Sequence, residues 1–363
     1  MSVRCQRGSR NGRGNPPVSL QSSIWPPPNS VGFDEVLAIV SFIYRIWLTA
    51  GLAVLLAVLP SIAATAQSPP LQISFPVRAP FRFVAYGDTR FTDPANTTDT
   101  NPEVRQELVR AIAGLRPAFI SFGGDIPFNG FSIDDWKVYD RETAIWRQRK
   151  ITVFPALGNH ELKGDMSVAL INYFARFPVL QENRFYSVRA ANTLLLALDS
   201  SLDETTGAQG EWLSAQFKNI PPDVDFVFLS LHHPPVTSAG DKTNGRGGSS
   251  ARPAEQQLAA FLEQQQKTMR ARIVVFASHV HNYERHERGG VTYFVTGGGG
   301  AHAYPISRAA DDSFQSQEIN YHYILVEVQR GKLRATMNRL EMKDGVSKWT
   351  QPDSIVISCP PKR

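Results

Sequence analysis

Cysteine is almost absent from this sequence of 363 residues, which contains only Cys5 and Cys359. Cys5 lies in an N-terminal stretch that we expect to be removed, so the remaining chain would hold one thiol and no intrachain disulfide. We also find no internal repeat. With 42% hydrophobic and 20% charged residues, the composition excludes collagen, a coiled coil, a disordered tail and a polytopic membrane protein.

The chain also lacks a strong excess of charge outside its N-terminus. Residues 1–66 contain five arginines and two acidic residues, which leaves 33 basic and 31 acidic side chains in residues 67–363. With a net charge of only +2, residues 67–363 have little of the basic surface that nucleic-acid binding requires. We therefore expect no nucleic-acid partner.

The most hydrophobic part of the chain is an uncharged run at Ile46–Leu59. Arg45 precedes the run, and Ala64-Thr65-Ala66 places small residues at both ends of an A-x-A site. This order predicts a signal peptide at 36–66. We therefore expect an exported protein, either periplasmic or extracellular, that has no stable membrane association after cleavage. The alternative is a retained membrane anchor, although the run is shorter than the roughly 20 residues that span a bilayer.

The rest of the chain divides into three parts. Residues 1–35 are rich in Pro, Ser, Gly and Arg, so we interpret them as a disordered extension or as a mis-assigned start that precedes the true start codon. Residues 67–80 are predicted to be a linker. Residues 81–358 are predicted to form a single domain.

Apolar runs in this domain stop abruptly at polar clusters. The runs are Phe81–Tyr86, Ala118–Phe122, Ile151–Leu157, Phe226–Leu231 and Arg272–Ala277. Such short runs predict buried strands. Because helical patterns lie between them, we expect an α/β fold with a largely parallel central sheet. The later runs, Val291–Thr296, Tyr321–Gln329 and Leu333–Arg339, have few helices between them and predict antiparallel strands.

Helices are expected at three places between these strands. The first has an apolar stripe from Val104 to Leu115 and begins at Asn101-Pro102. The second should follow Ser132 and include Trp136, Tyr139 and Trp146, and the third should follow Pro253 and include Leu258, Leu262 and Met269.

The polar clusters hold five of the eight histidines, together with two aspartates and an asparagine. These residues are His160, His232, His233, His279, His281, Asp88, Asp125 and Asn159. In open α/β sheets, ligands bind beyond the carboxyl ends of the strands. Carboxylate, amide and imidazole groups together suit Mn, Fe or Zn. The clusters therefore predict a transition-metal site.

The order of the clusters resembles the motif series of the calcineurin-like metallophosphoesterases over about residues 80–300. The matching segments are Gly87-Asp88-Thr89-Arg90, Gly124-Asp125, Gly158-Asn159-His160-Glu161, His232 and His279-Val280-His281. His279–Arg285 and Gly289–Ala301 further resemble the purple acid phosphatase branch. The resemblance implies an α/β fold built as a four-layer sandwich of two mixed β-sheets flanked by helices.

The resemblance also implies a centre of two divalent or trivalent transition-metal ions, Fe, Mn or Zn. The implied ligands are Asp125 as the bridge, Asp88 and His281 at the first ion, and Asn159, His232 and His279 at the second. His160 would face the phosphate and protonate or stabilise the leaving group. The implied reaction is hydrolysis of a small-molecule phosphate ester by direct attack of a metal-bound hydroxide.

Two positions depart from the family pattern. Arg90 stands where the common pattern has a His ligand, and Phe128 stands where the purple phosphatases have a Tyr ligand. Neither side chain can bind a metal. The first ion would therefore be weakly held, have its coordination completed by water, or be bound by a residue outside the motifs. The planar guanidinium of Arg90 can instead donate paired hydrogen bonds to phosphate oxygens. The alternative function is a catalytically weak or inactive metal- or phosphate-binding protein on the same fold.

Other residues near the clusters receive structural interpretations. If the strand continues, only one of His232 and His233 can face the site, which makes His233 a supporting or core residue. Glu161 is expected to support the ligand loop. The glycines at 297–300 lack the Lys-Ser/Thr of a P-loop and predict a close backbone approach. The loop at 237–250 is interpreted as disordered, with a cover over the site as the alternative.

Overall fold

The computed structural model describes residues 71–240 and 251–361 of the chain. The predicted extension at 1–35, the predicted signal peptide at 36–66 and residues 241–250 of the predicted loop lie outside the described residues. Within the part that is described, no helix is both long enough and apolar enough to cross a membrane.

The described residues form alternating strands and helices in the first part of the domain and mainly strands in the last. The strands are β1 (Gln72–Phe75), β2 (Phe81–Tyr86), β3 (Phe119–Phe122), β4 (Thr152–Pro155), β5 (Tyr186–Ala190), β6 (Thr193–Ala197), β7 (Phe226–Ser230), β8 (Arg272–Ala277), β9 (Tyr283–Arg288), β10 (Val291–Thr296), β11 (Tyr321–Gln329), β12 (Lys332–Lys343), β13 (Val346–Thr350) and β14 (Ser354–Ser358). The helices are α1 (Pro102–Leu115), α2 (Ile133–Glu142), α3 (Ala144–Gln148), α4 (Met166–Arg176), α5 (Gly207–Lys218) and α6 (Pro253–Gln266).

These strands form two mixed sheets, each with seven strands in the described part of the chain. The first sheet has the order β1-β5-β6-β7-β8-β10-β9, and the second has the order β13-β12-β11-β2-β3-β4 with β14 beside β12. Strands β6 to β8 and strands β2 to β4 are parallel, whereas β11 to β14 pair antiparallel. The predicted α/β fold of two mixed sheets, with an antiparallel C-terminal part, is confirmed.

Aromatic side chains join the inner faces of the two sheets. The ring centroid of Phe83 on β2 lies 5.0 Å from that of Phe228 on β7 and 5.9 Å from that of Phe276 on β8. The opposite face of β7 carries Val227 and Leu229, which are buried with α5 and α6. Because β7 is covered on both faces, its sequence is apolar almost throughout. Helix α1 packs on β11 and β12, so helices flank both sheets.

The first two helix predictions are confirmed in position. The Asn101 side chain accepts a hydrogen bond from the backbone N–H of Val104 at 3.2 Å, and Pro102 occupies the first turn of α1. The second predicted helix begins after Ser132, as expected, but Thr143 divides it into α2 and α3.

Two other boundary predictions are corrected. Met269, which we placed on the third helix, lies beyond the end of α6 at Gln266. Residues 72–75 of the predicted linker form β1, which pairs in parallel with β5. The reason is that Ile73 and Phe75 pack on the core while the alternate residues, Gln72 and Ser74, face solvent.

Backbone hydrogen bonds join the loops that follow the strands of both sheets. The N–H of Gly87, after β2, donates to the carbonyl of Thr296 at the end of β10 (3.0 Å). The N–H of Ser278, after β8, donates to the carbonyl of His232, after β7 (2.9 Å). The fold therefore collects the polar clusters at one end of the sandwich.

Candidate metal centre

The structure brings five of the six predicted ligands, together with His233, into two adjacent groups. Within each group the ligand atoms lie within 4.8 Å of one another, the first group being Asp88, Asp125 and His281 and the second His232, His233 and His279. Asn159 lies beside the second group, with its Oδ1 3.0 Å from His232 Nε2. Asp125 links the groups, because its Oδ1 lies 3.3 Å from the same nitrogen of His232.

Three of these residues have a backbone conformation that is rare outside glycine. The φ angles are +58° at Asp88, +54° at Asp125 and +70° at His279, all in the left-handed region. Each residue lies in the loop just after a strand, where such a turn takes the side chain out of the alternation of the sheet. Backbone strain of this kind costs about 1–3 kcal/mol per residue and concentrates at functional sites.

At the first position, an imidazole nitrogen and a carboxyl oxygen face each other. His281 Nδ1 lies 2.8 Å from the carbonyl oxygen of His302, which can only accept, so Nδ1 carries the proton. In the neutral ring Nε2 therefore presents a lone pair, and it lies 3.5 Å from Oδ1 of Asp88. Asp88 is fully buried, and this oxygen has no hydrogen-bond partner among the described residues. A cation bound beside Oδ1 of Asp88 would satisfy this oxygen.

The second position has the same character. His232 Nδ1 lies 2.9 Å from the carbonyl oxygen of Gly123, so its proton points away from the site. Nε2 of the neutral ring is then a lone pair, 3.0 Å from Oδ1 of Asn159 and 3.1 Å from Nδ1 of His279. Burial lowers the pKa of His232, which favours the neutral ring. An imidazole, an amide oxygen and a second imidazole thus converge as metal donors.

The pKa values of the two aspartates are displaced in opposite directions. Burial raises the pKa of Asp88 to about 8, and the nearby Asp125 carboxylate adds to the rise. Burial alone would also raise the pKa of Asp125, but His232, His160 and Arg90 hold it well below its usual range. Asp125 is therefore the permanent anion at the junction of the two groups.

Arg90 contacts Asp125 directly. Its Nε and Nη2 lie 3.4 and 3.3 Å from Oδ2 of Asp125, and only 14% of the Arg90 side chain is exposed. The structure thus places the predicted phosphate-binding arginine at the site. Its guanidinium, however, is already hydrogen-bonded to the predicted bridging carboxylate.

His160 also contacts Asp125. Its backbone N–H donates to Asp125 Oδ1 at 2.9 Å, and its Nε2 is 3.9 Å from Oδ2. Nδ1 is bonded to the carbonyl of Phe128, so that nitrogen holds the proton. Burial lowers the pKa of His160 to about 4, which makes the ring neutral at neutral pH. Its predicted action as an acid would need a second proton on Nε2.

Two supporting features occupy their predicted places. The buried Glu161 carboxylate accepts backbone N–H bonds from Asp125 (2.9 Å), Ile126 (2.6 Å) and Gly158 (2.7 Å), which fixes the ligand loops. A Cβ atom added at Gly297 would lie 2.7 Å from Oδ2 of Asp88. The predicted close backbone approach by the glycine run is therefore confirmed.

His233 lies close to the second group, nearer than the sequence argument assumed. We assigned it to support or to the core because alternate residues of a strand point to opposite faces, yet a ring nitrogen of His233 lies within 4.8 Å of those of His232 and His279. The reason is that β7 ends at Ser230, so the alternation no longer applies at 232 and 233. The end of the strand was the missing information.

A third buried group of ligand-type side chains lies outside the two positions and consists of Glu284, His286 and Asp312. Glu284 accepts hydrogen bonds from Thr237 Oγ1 (2.7 Å) and from the backbone of Ser238. His286 Nε2 lies 3.0 Å from Glu284 Oε2, and although burial opposes the charge, this contact raises the pKa of His286. Glu284 and His286 therefore pair with each other, Asp312 pairs with Arg308, and Glu284 holds the backbone at residues 237–238.

Comparison with known proteins identifies the family. Residues 81–283, more than half of the chain, match the family model described as calcineurin-like phosphoesterase. The chain belongs to this family, which places its domain among hydrolases that act on phosphoric ester bonds. No curated protein matches the chain significantly.

Solved structures share the fold at low sequence identity. A purple acid phosphatase from yellow lupin (Lupinus luteus) seeds is 16% identical, with a TM-score of 0.61 over 77% of this chain and 54% of that one. GAP50, the anchor in the inner membrane complex of Plasmodium, is 15% identical, with a TM-score of 0.52 over 78% of this chain and 90% of that one. A dimetal phosphatase from Danio rerio is 13% identical, with a TM-score of 0.47 over 77% of this chain and 100% of that one. The chain spans about half the length of the lupin protein.

Family membership implies a dinuclear metal centre, and the donors described above fit one. The first position offers two carboxylates and an imidazole, and the second offers an amide oxygen and imidazoles, with Asp125 between them. Oxygen and nitrogen donor atoms lie close together at both positions, which is the arrangement that bound cations would stabilise. The residues present are therefore consistent with two metal ions.

Proposed function

We propose that the protein hydrolyses small-molecule phosphate esters at a centre of two transition-metal ions, Fe, Mn or Zn. The observation that carries the proposal is the convergence of six side chains, from five loops that follow strands, on one end of the sandwich. Metal ions bound there would neutralise the charge of the ester and lower the pKa of water. The nitrogen and oxygen donors accept any of the three metals, so supply would decide which one is bound.

The residues around the centre have distinct roles in this proposal. Asp125 would bridge the ions, because its two oxygens face opposite sides, one towards His232 and the other towards Arg90. Arg90 would bind phosphate oxygens with the part of its guanidinium that Asp125 leaves open. His160, which lies 3.9 Å from Asp125, would stabilise or protonate the leaving group. Hydrolysis would be direct, without a covalent intermediate on the protein.

The proposal is tested by assaying the full chain on aryl phosphate monoesters and diesters with added Mn, Zn or Fe. Asp125→Ala should reduce hydrolysis by about 100-fold or more, because it removes a ligand from both positions. Asp134→Ala is the matched control, since this aspartate is 82% exposed on α2 and binds only Lys137. Equal activity of Asp125→Ala and the wild type would contradict the proposal.

A second function is favoured by the bond between Arg90 and Asp125. If the guanidinium permanently occupies the side of Asp125 that faces the first position, the protein would bind a single ion, or phosphate, without turnover. The fold does not exclude this role, because a protein described as an anchor shares it. Elemental analysis that finds one tightly bound ion, together with no hydrolysis across the ester panel, would support this second function.

We further propose that the protein is exported, either to the periplasm or out of the cell. This proposal is supported by the arginine, the apolar run and the A-x-A cleavage site that follow one another within residues 36–66. The near-neutral body is consistent with a small-molecule substrate and no nucleic-acid partner. N-terminal sequencing of the exported protein should find Gln67 first. A chain that retains Ile46–Leu59 would indicate a membrane anchor instead.

A further inference from the structure

His233 brings an additional imidazole to the second metal position. The centroid of its ring lies 4.4 Å from that of His279 and 5.0 Å from that of His232. The residue is only 8% exposed, so its position is fixed by packing as well as by its place in the chain. None of the family motifs in this chain includes His233. Its role must be deduced from its contacts.

A buried serine determines which nitrogen of His233 carries the proton. Ser200 Oγ accepts the backbone N–H of His233 at 3.0 Å and lies 2.8 Å from Nδ1 of the same residue. Ser200 is 1% exposed, and its hydroxyl has no other hydrogen-bond acceptor within reach among the described residues. The hydroxyl proton is therefore donated to Nδ1, because otherwise it would be buried without a partner. In the neutral ring this places the proton of His233 on Nε2.

This assignment distinguishes a donor from a metal ligand. A histidine that binds a metal must present a lone pair, as Nε2 of His232 does. His233 instead presents an N–H, because its Nδ1 is engaged with Ser200. A phosphate oxygen is the natural acceptor for such a group at a metal centre.

Ser200 is itself held in place by charged groups. Arg252 donates to the carbonyl of Ser200 and forms a bidentate pair with the buried Glu255, with Nε at 2.9 and 3.0 Å from the two carboxylate oxygens. The preceding residue, Asp199, accepts a hydrogen bond from Arg184 Nε at 2.6 Å. The turn is therefore rigid before any substrate arrives, as a positioning group requires.

We propose that His233 is a substrate-binding residue whose Nε2–H donates a hydrogen bond to a phosphate oxygen of the ester at the second metal position, with Ser200 as its positioning residue. The inference rests on the proposed function for the identity of the ester. It goes beyond the family motifs because it adds a donor from a residue that those motifs do not include.

The experiment measures how inorganic phosphate binds to the metal-loaded full chain, by competition and by calorimetry. His233→Ala should weaken phosphate binding by about tenfold or more, since a hydrogen bond to a charged group is lost. His233→Gln should recover most of the affinity, because its amide N–H can reach the place of Nε2–H. Ser200→Ala should weaken phosphate binding to a smaller extent, with the rise in KM exceeding the fall in kcat.

Metal content separates the possible roles of His233. Elemental analysis should find the same number of ions in wild type, His233→Ala and His233→Gln, whereas His232→Ala should lose the second ion. Loss of an ion from His233→Ala would overturn the inference in favour of a metal ligand. Unchanged phosphate affinity in His233→Ala, or no phosphate binding by the metal-loaded wild type, would also overturn it. Phosphate binding that depends on His233 without hydrolysis of any ester would contradict only the proposed function.

Discussion

Two nitrogens of Arg90 share one oxygen of Asp125: Nε lies 3.4 Å and Nη2 3.3 Å from Oδ2. The other oxygen, Oδ1, accepts the backbone N–H of His160 and faces His232. The side of Asp125 that points away from the second position is thus already neutralised by a guanidinium. A metal ion that bound Oδ2 would compete with Arg90 for this oxygen.

This competition predicts that Arg90→His strengthens the first metal position. The substitution removes the competing charge and supplies an imidazole donor, so we expect the dissociation constant of the first ion to fall by about tenfold or more. Chelator competition followed by elemental analysis measures it. Arg90→Gln is the control, because it removes the charge without adding a donor. If His and Gln variants bind the first ion equally, the imidazole has not reached the site.

The sequence predicted most of the site because the ligands lie just beyond buried strands. A short apolar run followed by Gly-Asp or Gly-Asn-His marks the end of a strand, and parallel strands bring such ends together. Asp88, Asp125 and His281 could therefore be placed near one another without coordinates. The pairing of Arg90 with Asp125 could not be predicted in this way, since it depends on side-chain directions after left-handed residues.

The parts that the sequence did not predict depend on where strands begin and end. β1 was taken for a linker because Ile73 and Phe75 are its only strongly apolar residues and an edge strand needs no more. His233 was assigned to a supporting or core role because we assumed that the side-chain alternation of β7 continues to residue 233. The strand ends three residues earlier, at Ser230. In both places the limits of the strand follow from which residues are buried, and burial is known only once the elements are packed together.

Two glycine-to-alanine substitutions should have opposite effects on stability. A Cβ at Gly297 would lie 2.1 Å from the carbonyl oxygen of Val280 and 2.7 Å from Oδ2 of Asp88, so Gly297→Ala should cost about 1–3 kcal/mol and weaken metal binding. Gly114 lies exposed on α1 with no atom within 4 Å of its added Cβ, so Gly114→Ala should stabilise the protein by about 0.5–1 kcal/mol. Urea denaturation and metal titration measure both effects. A Gly297→Ala protein with wild-type stability and metal affinity would show that the loops can separate at little cost.

A buried ion pair links α1 to the end of α2. Arg105 is fully buried and forms two bonds with Glu142, from Nε (2.9 Å) and from Nη2 (2.8 Å). Glu142→Ala would leave this guanidinium charged and without its carboxylate, so we expect a loss of about 3–5 kcal/mol in the free energy of unfolding. Glu107→Ala, which breaks the exposed pair with Arg110 on α1, should cost only about 0.5 kcal/mol or less. Similar losses in the two variants would contradict the importance of burial.

The pH dependence of stability should contain a contribution from Glu204. This residue is fully buried, and neither carboxylate oxygen has a hydrogen-bond partner in the described part of the chain. Burial raises the pKa of Glu204 to about 8, with Glu255 acting in the same direction, whereas the unperturbed value is 4.5. Between these values the folded state binds a proton that the unfolded state has lost. The stability contributed by this group therefore falls as the pH rises from the lower value to the higher.

The matched substitution Glu204→Gln isolates this effect, because glutamine has nearly the same shape and does not titrate. Relative to the variant, the wild type should lose about 1–3 kcal/mol of unfolding free energy between pH values of about 5 and 8. Comparing the two proteins by urea denaturation at each pH cancels the contributions of all other groups, including any bound metal. Glu211→Gln, at an exposed position on α5, should follow the wild-type curve. Parallel curves for the wild type and Glu204→Gln would mean that Glu204 is already ionised, with a partner at its carboxylate, in the folded protein.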